Sequence, residues 1–343
     1  MKAAVINQNG GIEHIHIEEV ADPKPDVDEV VVDVKAAALN HLDIWVRRGR
    51  PGLELMFPHV LGSDAAGIVS AVGRHVKDIK EGTEVVINPG LSCGTCEFCR
   101  RGEHSECLYF GIVGMSRPGT FAEKVALPAA NIMSKPSHLT PAEAAALPLA
   151  HITAWRMLFS RAKTKPGERI LIHGIGGGVA LAALQLAKLI QAEVIVTSSS
   201  DEKLRRAREL GADHAINYSA NPDVALAVKD ITGGRGVDVA FDTTGAATWQ
   251  INFDTVRRGG RIVHCGVTSG ASAQVSISAL YWNHVTVMGS TMGTQEDFRQ
   301  MLDTVHMSKL KPVVDTAFAH ADVRIATMRM ENGEQFGKIV LEI

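Results

Sequence analysis

The stretch HGIGGGVA, His173 to Ala180, decides how the rest of the chain is read. It follows a short apolar run, ERILI, and opens the stretch GVALAALQLAKLI, whose apolar residues recur at helical spacing. A strand, a glycine turn and a helix in this order form a phosphate-binding unit. Glycines permit the tight turn and bring the backbone close to a pyrophosphate, and the helix N-terminus faces the negative charge. The best register is Gly174-x-x-Gly177-x-x-Ala180; a G-x-G-x-x-G pattern begun at Gly174 fails at its sixth place, where Val179 stands. Gly174, Gly177, Gly178 and Val179 are therefore the expected cradle of a dinucleotide.

Toward the C-terminus the alternation continues: strand EVIVTSS, helix DEKLRRAREL, strand HAINY, helix PDVALAVKDIT, strand VDVAFDTTG, a helix through WQINFDTVRR, then strands GRIVHCG and VTVMGST. Apolar strands alternating with periodic helices predict a parallel, doubly wound sheet covered on both faces, an α/β architecture of Rossmann type. In such folds an acidic residue about 20 positions past the first glycine accepts the ribose 2′-hydroxyl of NAD. Ser198, Ser199 and Ser200 stand there instead. Without that acid a 2′-phosphate meets no repulsion, and Lys203 with Arg205 or Arg206 can neutralise it, so NADPH is the expected cofactor. In the other reading Asp201 reaches the ribose, the basic residues form a solvated helix face, and NADH is used.

Toward the N-terminus the texture differs. Up to about residue 128, runs such as EVVVDVKAA, HVLGSDAAGIVSAVG and EVVINPG are punctuated by glycine and proline, which predicts a compact β-rich domain. Thr140-Pro141-Ala142-Glu143 carries a capping-box pair with proline at the first helical position, and Pro148 should interrupt the helix that follows. The final segment, from about Leu310 to FGKIVLEI, ends in a strand that can return to the first domain. The expected division is residues 1–127 with 308–343, and 128–307.

Residues 93–107 read CGTCEFCRRGEHSEC, so four of the five cysteines fall within fifteen residues at C-x2-C-x2-C-x7-C spacing. Cys93, Cys96, Cys99 and Cys107 predict one zinc held in a lobe over 91–109. Four thiolates fill a tetrahedral shell and leave no position for substrate, so this zinc is expected to be structural. Cys265, in the apolar run RIVHCGV, reads as a buried strand residue rather than a nucleophile.

The 343 residues, 45% hydrophobic with mean hydropathy +0.06, suffice for two domains. A net charge of −3 without a basic stripe argues against nucleic acid or an anionic membrane as partner. No run approaches the roughly 18 apolar residues of a membrane span. A small-molecule partner and a cytoplasmic location are expected.

Taken together, LGSDAAGIVSAVG, the four-cysteine lobe, HGIGGGVALAALQLAK, ELGAD, DTTG and FGKIVLE resemble the medium-chain dehydrogenase/reductase superfamily over nearly the whole length. The resemblance implies a GroES-like catalytic domain joined to a Rossmann domain, NAD(P)-dependent hydride transfer, and a homodimer or homotetramer. It also implies cofactor contacts at Thr153, Thr244 and Lys338. Zinc-dependent alcohol dehydrogenases of this superfamily bind a second, catalytic zinc through a C-H-x-D stretch and a G-H-E stretch. The matching positions here are Asn40-His41-Leu42-Asp43 and Gly62-Ser63-Asp64, and both principal ligands are absent. Asn and Ser are poor replacements for thiolate and imidazole.

N-x-x-D with an acidic G-x-D resembles the quinone oxidoreductase branch, whose 2′-phosphate contacts match Ser198, Lys203 and Tyr218; the cysteine lobe departs from many members of that branch. The expected activity is NADPH-dependent reduction of quinones or α,β-unsaturated carbonyls. In it Asn40 donates to the carbonyl or fixes the nicotinamide, His41 assists proton delivery, and Asp43 and Asp64 organise the cleft. In the alternatives, a metal site rebuilt from His41 and Asp64 with His59 or His151 serves an alcohol dehydrogenase, or the protein binds NADPH without catalysis.

Overall fold

The computed structural model describes residues 1–49 and 52–343. The chain divides into two compact units, Met1–Ile152 with Gly293–Ile343, and Thr153–Met292. Residues 128–152 and 293–307, grouped with the nucleotide-binding domain by the sequence reading, thus fall in the first unit. The reason is pairing and packing: Ile132–Ser134 runs antiparallel to Glu84–Ile87, and the helix Pro141–Ala145 packs on the strands Glu29–Ala38 and Asp64–Val72.

The first unit is built on a seven-stranded sheet. Its order is Ile132–Ser134, Glu84–Ile87, Asp64–Val72, Glu29–Ala38, Lys338–Glu342 and Val314–Ala319, with Lys124–Pro128 also pairing Glu29–Ala38. The alternation in EVVVDVKAAA sends Val30, Val32 and Val34 into one core with Val85, Ile87, Leu127, Ile339 and Leu341. Each such side chain contributes roughly 1.5–3 kcal/mol on burial. The C-terminal strand Lys338–Glu342 therefore lies inside this sheet, between Glu29–Ala38 and Val314–Ala319.

The capping box forms as read: Glu143 N–H donates to Thr140 Oγ1 at 3.2 Å and Thr140 N–H to the Glu143 carboxylate at 2.8 Å. That helix stops at Ala145, and Pro148 opens the next one, Pro148–Trp155.

In the second unit six parallel strands run in the order His214–Asn217, Glu193–Ser198, Arg169–Ile172, Val237–Asp242, Val256–His264 and Thr286–Gly289. In chain order this is 3-2-1-4-5-6, the doubly wound arrangement with its switch point beside the first strand. Leu171, Ile195, Ile216 and Val237 pack with Val224 and Val228 of the helix Val224–Thr232.

One boundary departs from the sequence reading. The helix Ala246–Thr255 ends before Val256, which already belongs to the strand Val256–His264 and pairs with Val237. Thr255 Oγ1 donates to the Ile251 carbonyl at 2.7 Å and so ties its side chain back onto the last helical turn. Cys265 lies just beyond that strand, half-buried, its thiol pushed up to about 12 by burial and then by Asp242, which disfavours the thiolate a nucleophile needs. Among the described residues no helix is long and apolar enough to cross a membrane.

Candidate active site and cofactor-binding elements

Four expected site residues of the first unit come together. The strand Glu29–Ala38 ends two residues before Asn40, which caps the helix His41–Arg48; Asp43, in the first turn, accepts Asn40 N–H at 2.7 Å. Asp64 begins the neighbouring strand and Lys338 begins the C-terminal strand. Asp64 Oδ2 accepts from Asn40 Nδ2 at 2.9 Å and from Lys338 Nζ at 2.9 Å, while its Oδ1 accepts Leu149 N–H at 2.8 Å from the first turn of Pro148–Trp155. Lys338 Nζ also donates to Leu39 O and Asn40 Oδ1, each at 2.6 Å. All three ammonium hydrogens therefore have acceptors, and both ends of the Asn40 amide are engaged.

Asp64 is 0% and Lys338 4% exposed. A buried ion pair of this kind depends on such complete hydrogen bonding, because desolvation of both charges must be offset. Lys338, expected at the cofactor from family position, is thus placed by the structure against Asn40 and Asp64. Burial pushes the Asp43 carboxyl up to about 7, against the opposing effect of the Asn40 amide and the Lys338 charge.

His41 is exposed at the head of its helix, 6.3 Å from the Trp45 ring centroid in an edge-on arrangement. The protein mass around it, then the charges of Lys338 and Arg48, lower its imidazole below the usual value. The rebuilt metal site does not assemble. His59 Nε2 meets Gly114 O at 2.9 Å, His151 Nδ1 meets Leu147 O at 3.2 Å, and Asp64 is held by Lys338. Ser63 Oγ donates to Val113 O at 2.7 Å.

Among the described residues the only cluster of three or more potential His, Cys or carboxylate ligands is Cys93, Cys96, Cys99 and Cys107, whose sulfurs lie within 4.8 Å of one another. The Cys93–Cys107 and Cys96–Cys99 sulfurs are 3.6 Å apart and the Cys93–Cys99 pair 3.9 Å. Zn–S bonds of about 2.3 Å in a tetrahedron put sulfurs about 3.8 Å apart, so the donor set fits zinc. Gly94 and Gly102, at φ +71° and +82°, make the turns that bring the four together. The Thr95 amide and hydroxyl and the Cys96 amide push the Cys93 thiol down to about 6, whereas burial and the adjacent sulfurs push Cys99 up to about 11. The lobe is a four-thiolate structural zinc site.

In the second unit the glycine turn runs between the strand Arg169–Ile172 and the helix Gly178–Leu189, with Gly177 at its N-terminus and no side chain capping it. Gly174 has φ +64° and Gly176 φ +125°. A Cβ at Gly176 would come within 2.9 Å of Lys203 Cδ, so the lysine stem lies over the turn. This leaves the first-turn amides of Gly178 and Val179 as an anion cradle beside a cation, which fits a dinucleotide phosphate. Ser198 ends the second strand, and Tyr218 N–H donates to Ser198 O at 3.1 Å, which brings those two expected contacts together; Ser199, next to them, is exposed.

Asp201, the alternative ribose acceptor, instead accepts from Asn217 Nδ2 at 2.7 Å, and Arg205 is engaged by Glu202 and Glu209. Thr244 Oγ1 lies 3.4 Å from where a Gly174 Cβ would be. Thr153 is buried, its hydroxyl 3.9 Å from Met292 Sδ.

The chain is similar to known proteins over its whole length. Residues 26–137 match the alcohol dehydrogenase GroES-like domain, and residues 178–307 match the zinc-binding dehydrogenase family. An alcohol dehydrogenase of Geobacillus stearothermophilus is 34% identical over 345 residues, covering 100% of this chain and 99% of that protein. A crystal structure of an NAD-dependent alcohol dehydrogenase superposes with a TM-score of 0.95 at 42% identity, all of both chains being covered. The cobalt- and zinc-bound thermostable alcohol dehydrogenase of Pyrobaculum aerophilum gives 0.90 at 32% identity, covering 100% of this chain and 99% of that one. The chain accordingly belongs to the medium-chain dehydrogenase/reductase superfamily, in its zinc-type alcohol dehydrogenase-like branch, and is an NAD(P)-dependent oxidoreductase.

Proposed function

We propose that the protein reduces quinones or α,β-unsaturated carbonyl compounds with NADPH, at a site without catalytic zinc. The observation that carries this reading is the Lys338 ammonium seated between Asn40 and Asp64, the positions that match metal-ligand stretches in zinc-dependent relatives. An ammonium there competes with a metal ion for the same carboxylate. Alcohol oxidation requires stabilisation of an alkoxide, usually supplied by a Lewis acid; reduction of an already electrophilic substrate demands less and can rest on orientation.

Bound NADPH supplies the hydride, and the reduced substrate takes a proton from water ordered by His41, whose lowered imidazole is neutral near pH 7. Asn40, with both amide ends engaged, acts by holding the Asp64–Lys338 pair in place; Asp43 holds Asn40 in turn. Ser198, Ser199, Lys203 and Tyr218 are the proposed 2′-phosphate contacts, and Thr153, Thr244 and the glycine turn the remaining dinucleotide contacts.

A second reading, alcohol dehydrogenation, is favoured by the names of the relatives, several of which are NAD-dependent alcohol dehydrogenases. The test compares NADPH and NADH oxidation by quinones and enals with NAD(P)+ reduction by alcohols, on protein purified without added metal. Turnover of quinones or enals with about one zinc per chain supports the proposal. Alcohol oxidation with about two zincs replaces it with the second reading.

We also propose that a cytoplasmic homodimer or homotetramer forms through the sheet edge at Thr286–Gly289. Beside that strand in sequence, Ile277, Tyr281 and Trp282 are 74%, 64% and 66% exposed, and an open strand next to a large apolar surface favours pairing with a second copy.

A further inference from the structure

Beneath the glycine turn lies a buried polar chain that the sequence reading did not anticipate. Thr197, His173, Asn252 and Asp242 are each at most 2% exposed and come from four different segments of the second unit. Gly174 N–H donates to Thr197 Oγ1 at 3.3 Å, and Thr197 Oγ1 lies 3.4 Å from His173 Nδ1. His173 Nε2 lies 3.0 Å from Asn252 Oδ1, and Asn252 Nδ2 donates to Asp242 Oδ2 at 2.6 Å.

The chemistry of the partners orients every link. Asn252 spends its N–H on the carboxylate, so its carbonyl oxygen faces His173 and can only accept; His173 Nε2 must carry a hydrogen. In the neutral ring Nδ1 is then bare and accepts the Thr197 hydroxyl, whose oxygen is left to accept the Gly174 amide. All donors point toward Asp242.

Asp242 also governs the other side of the turn. Its Oδ1 accepts Thr244 N–H at 2.7 Å and its Oδ2 accepts Thr248 Oγ1 at 2.7 Å, while Thr244 O accepts from Ser269 N–H at 2.8 Å and Ser269 Oγ at 2.9 Å. Burial would raise its carboxyl, but His264 and these donors outweigh that and hold it well below the usual carboxylate range. The result is a buried carboxylate, ionised near neutral pH.

We propose that Asp242 is a positioning residue for the dinucleotide: it holds the Thr244 loop directly and the Gly174 turn through Asn252, His173 and Thr197. One carboxylate thereby sets both walls around the cofactor. The inference rests on the dinucleotide site described above.

The test is a fluorescence titration of the full, zinc-containing chain with NADPH and with NADH. Thr197→Val removes only the hydroxyl link at nearly constant volume, and should weaken both dinucleotides by the same factor, about tenfold, as expected for one severed hydrogen bond in a series. Thr197→Ser restores the hydroxyl and should bind within about twofold of the native chain. Equal binding by Thr197→Val, a loss confined to one dinucleotide, or failure of Thr197→Ser to restore binding would each overturn the proposal.

A second measurement needs no variant: nitrogen-15 spectra should show His173 neutral with its hydrogen on Nε2, and the opposite tautomer would overturn the chain of donors. If the native chain binds neither dinucleotide, the cofactor site itself is wrong and the positioning role falls with it. Native binding that persists unchanged in Thr197→Val condemns the positioning role alone.

Discussion

Lys338 is the residue on which the first unit's polar cluster turns. Replacing it with methionine leaves Asp64 buried without a counter-charge, a change that costs about 3–5 kcal/mol. Urea unfolding of Lys338→Met should show that loss, and the double variant Lys338→Met/Asp64→Asn should recover much of it. Asp43 carries a different liability. Its carboxyl is raised from 3.8 to about 7 in the folded chain, so between those values the folded state holds more protons than the unfolded one. Stability is therefore greatest below about pH 4 for this group and falls as the pH rises through about 7. Asp43→Asn cannot ionise, so its unfolding free energy relative to the native chain should climb from pH 5 to pH 8, by up to a few kcal/mol.

The choice of Asn40, Asp43 and Asp64 as candidate residues was legible from two short motifs. Their union with Lys338 was not, because 274 residues separate Lys338 from Asp64 and no local pattern encodes that contact.

Among elements, the ones with local signatures were the most legible. The glycine turn at 174–177 and the capping box at Thr140–Glu143 declare themselves within a few residues, since the backbone there satisfies its own geometric demands. The change from helix to strand at Thr255–Val256 was hidden. Val256 leaves the helix to pair with Val237, nineteen positions upstream, and only the assembled sheet supplies that partner.

The cysteine lobe is an element whose order depends on its ion. Chelation or Cys99→Ser should lower the thermal midpoint and increase protease cleavage within 91–109 while leaving dinucleotide binding by the second unit within about twofold. At the opposite extreme, the Thr286–Gly289 edge depends, in the proposed assembly, on a second copy rather than an ion. Trp282→Glu with Val287→Lys should shift the sedimentation coefficient toward the monomer if a second copy pairs there.

For the whole molecule, the contrast between a punctuated β-rich beginning and a regular alternation after it was enough to reveal two units. Where they divide was not, because helix-rich residues 128–152 resemble the second unit in composition yet pack on strands of the first. Composition reports what a segment can form; the neighbour that buries it is a property of the folded chain.

The strand Lys338–Glu342 occupies an interior place in a sheet whose other central member, Glu29–Ala38, is made some three hundred residues earlier. During synthesis the ribosome must therefore deliver all of residues 153–292, which can fold by themselves around local βαβ contacts, before the first sheet can close. Until then the Ala36–Ala38 end of Glu29–Ala38, beyond its pairing with Lys124–Pro128, lacks a partner on that edge, and Asp64 lacks its ammonium. Nascent chains arrested before Lys338 should be captured by chaperones and remain protease-sensitive in the first unit while the second is already resistant. The assembly of the first unit is thus timed by the emergence of Lys338–Glu342.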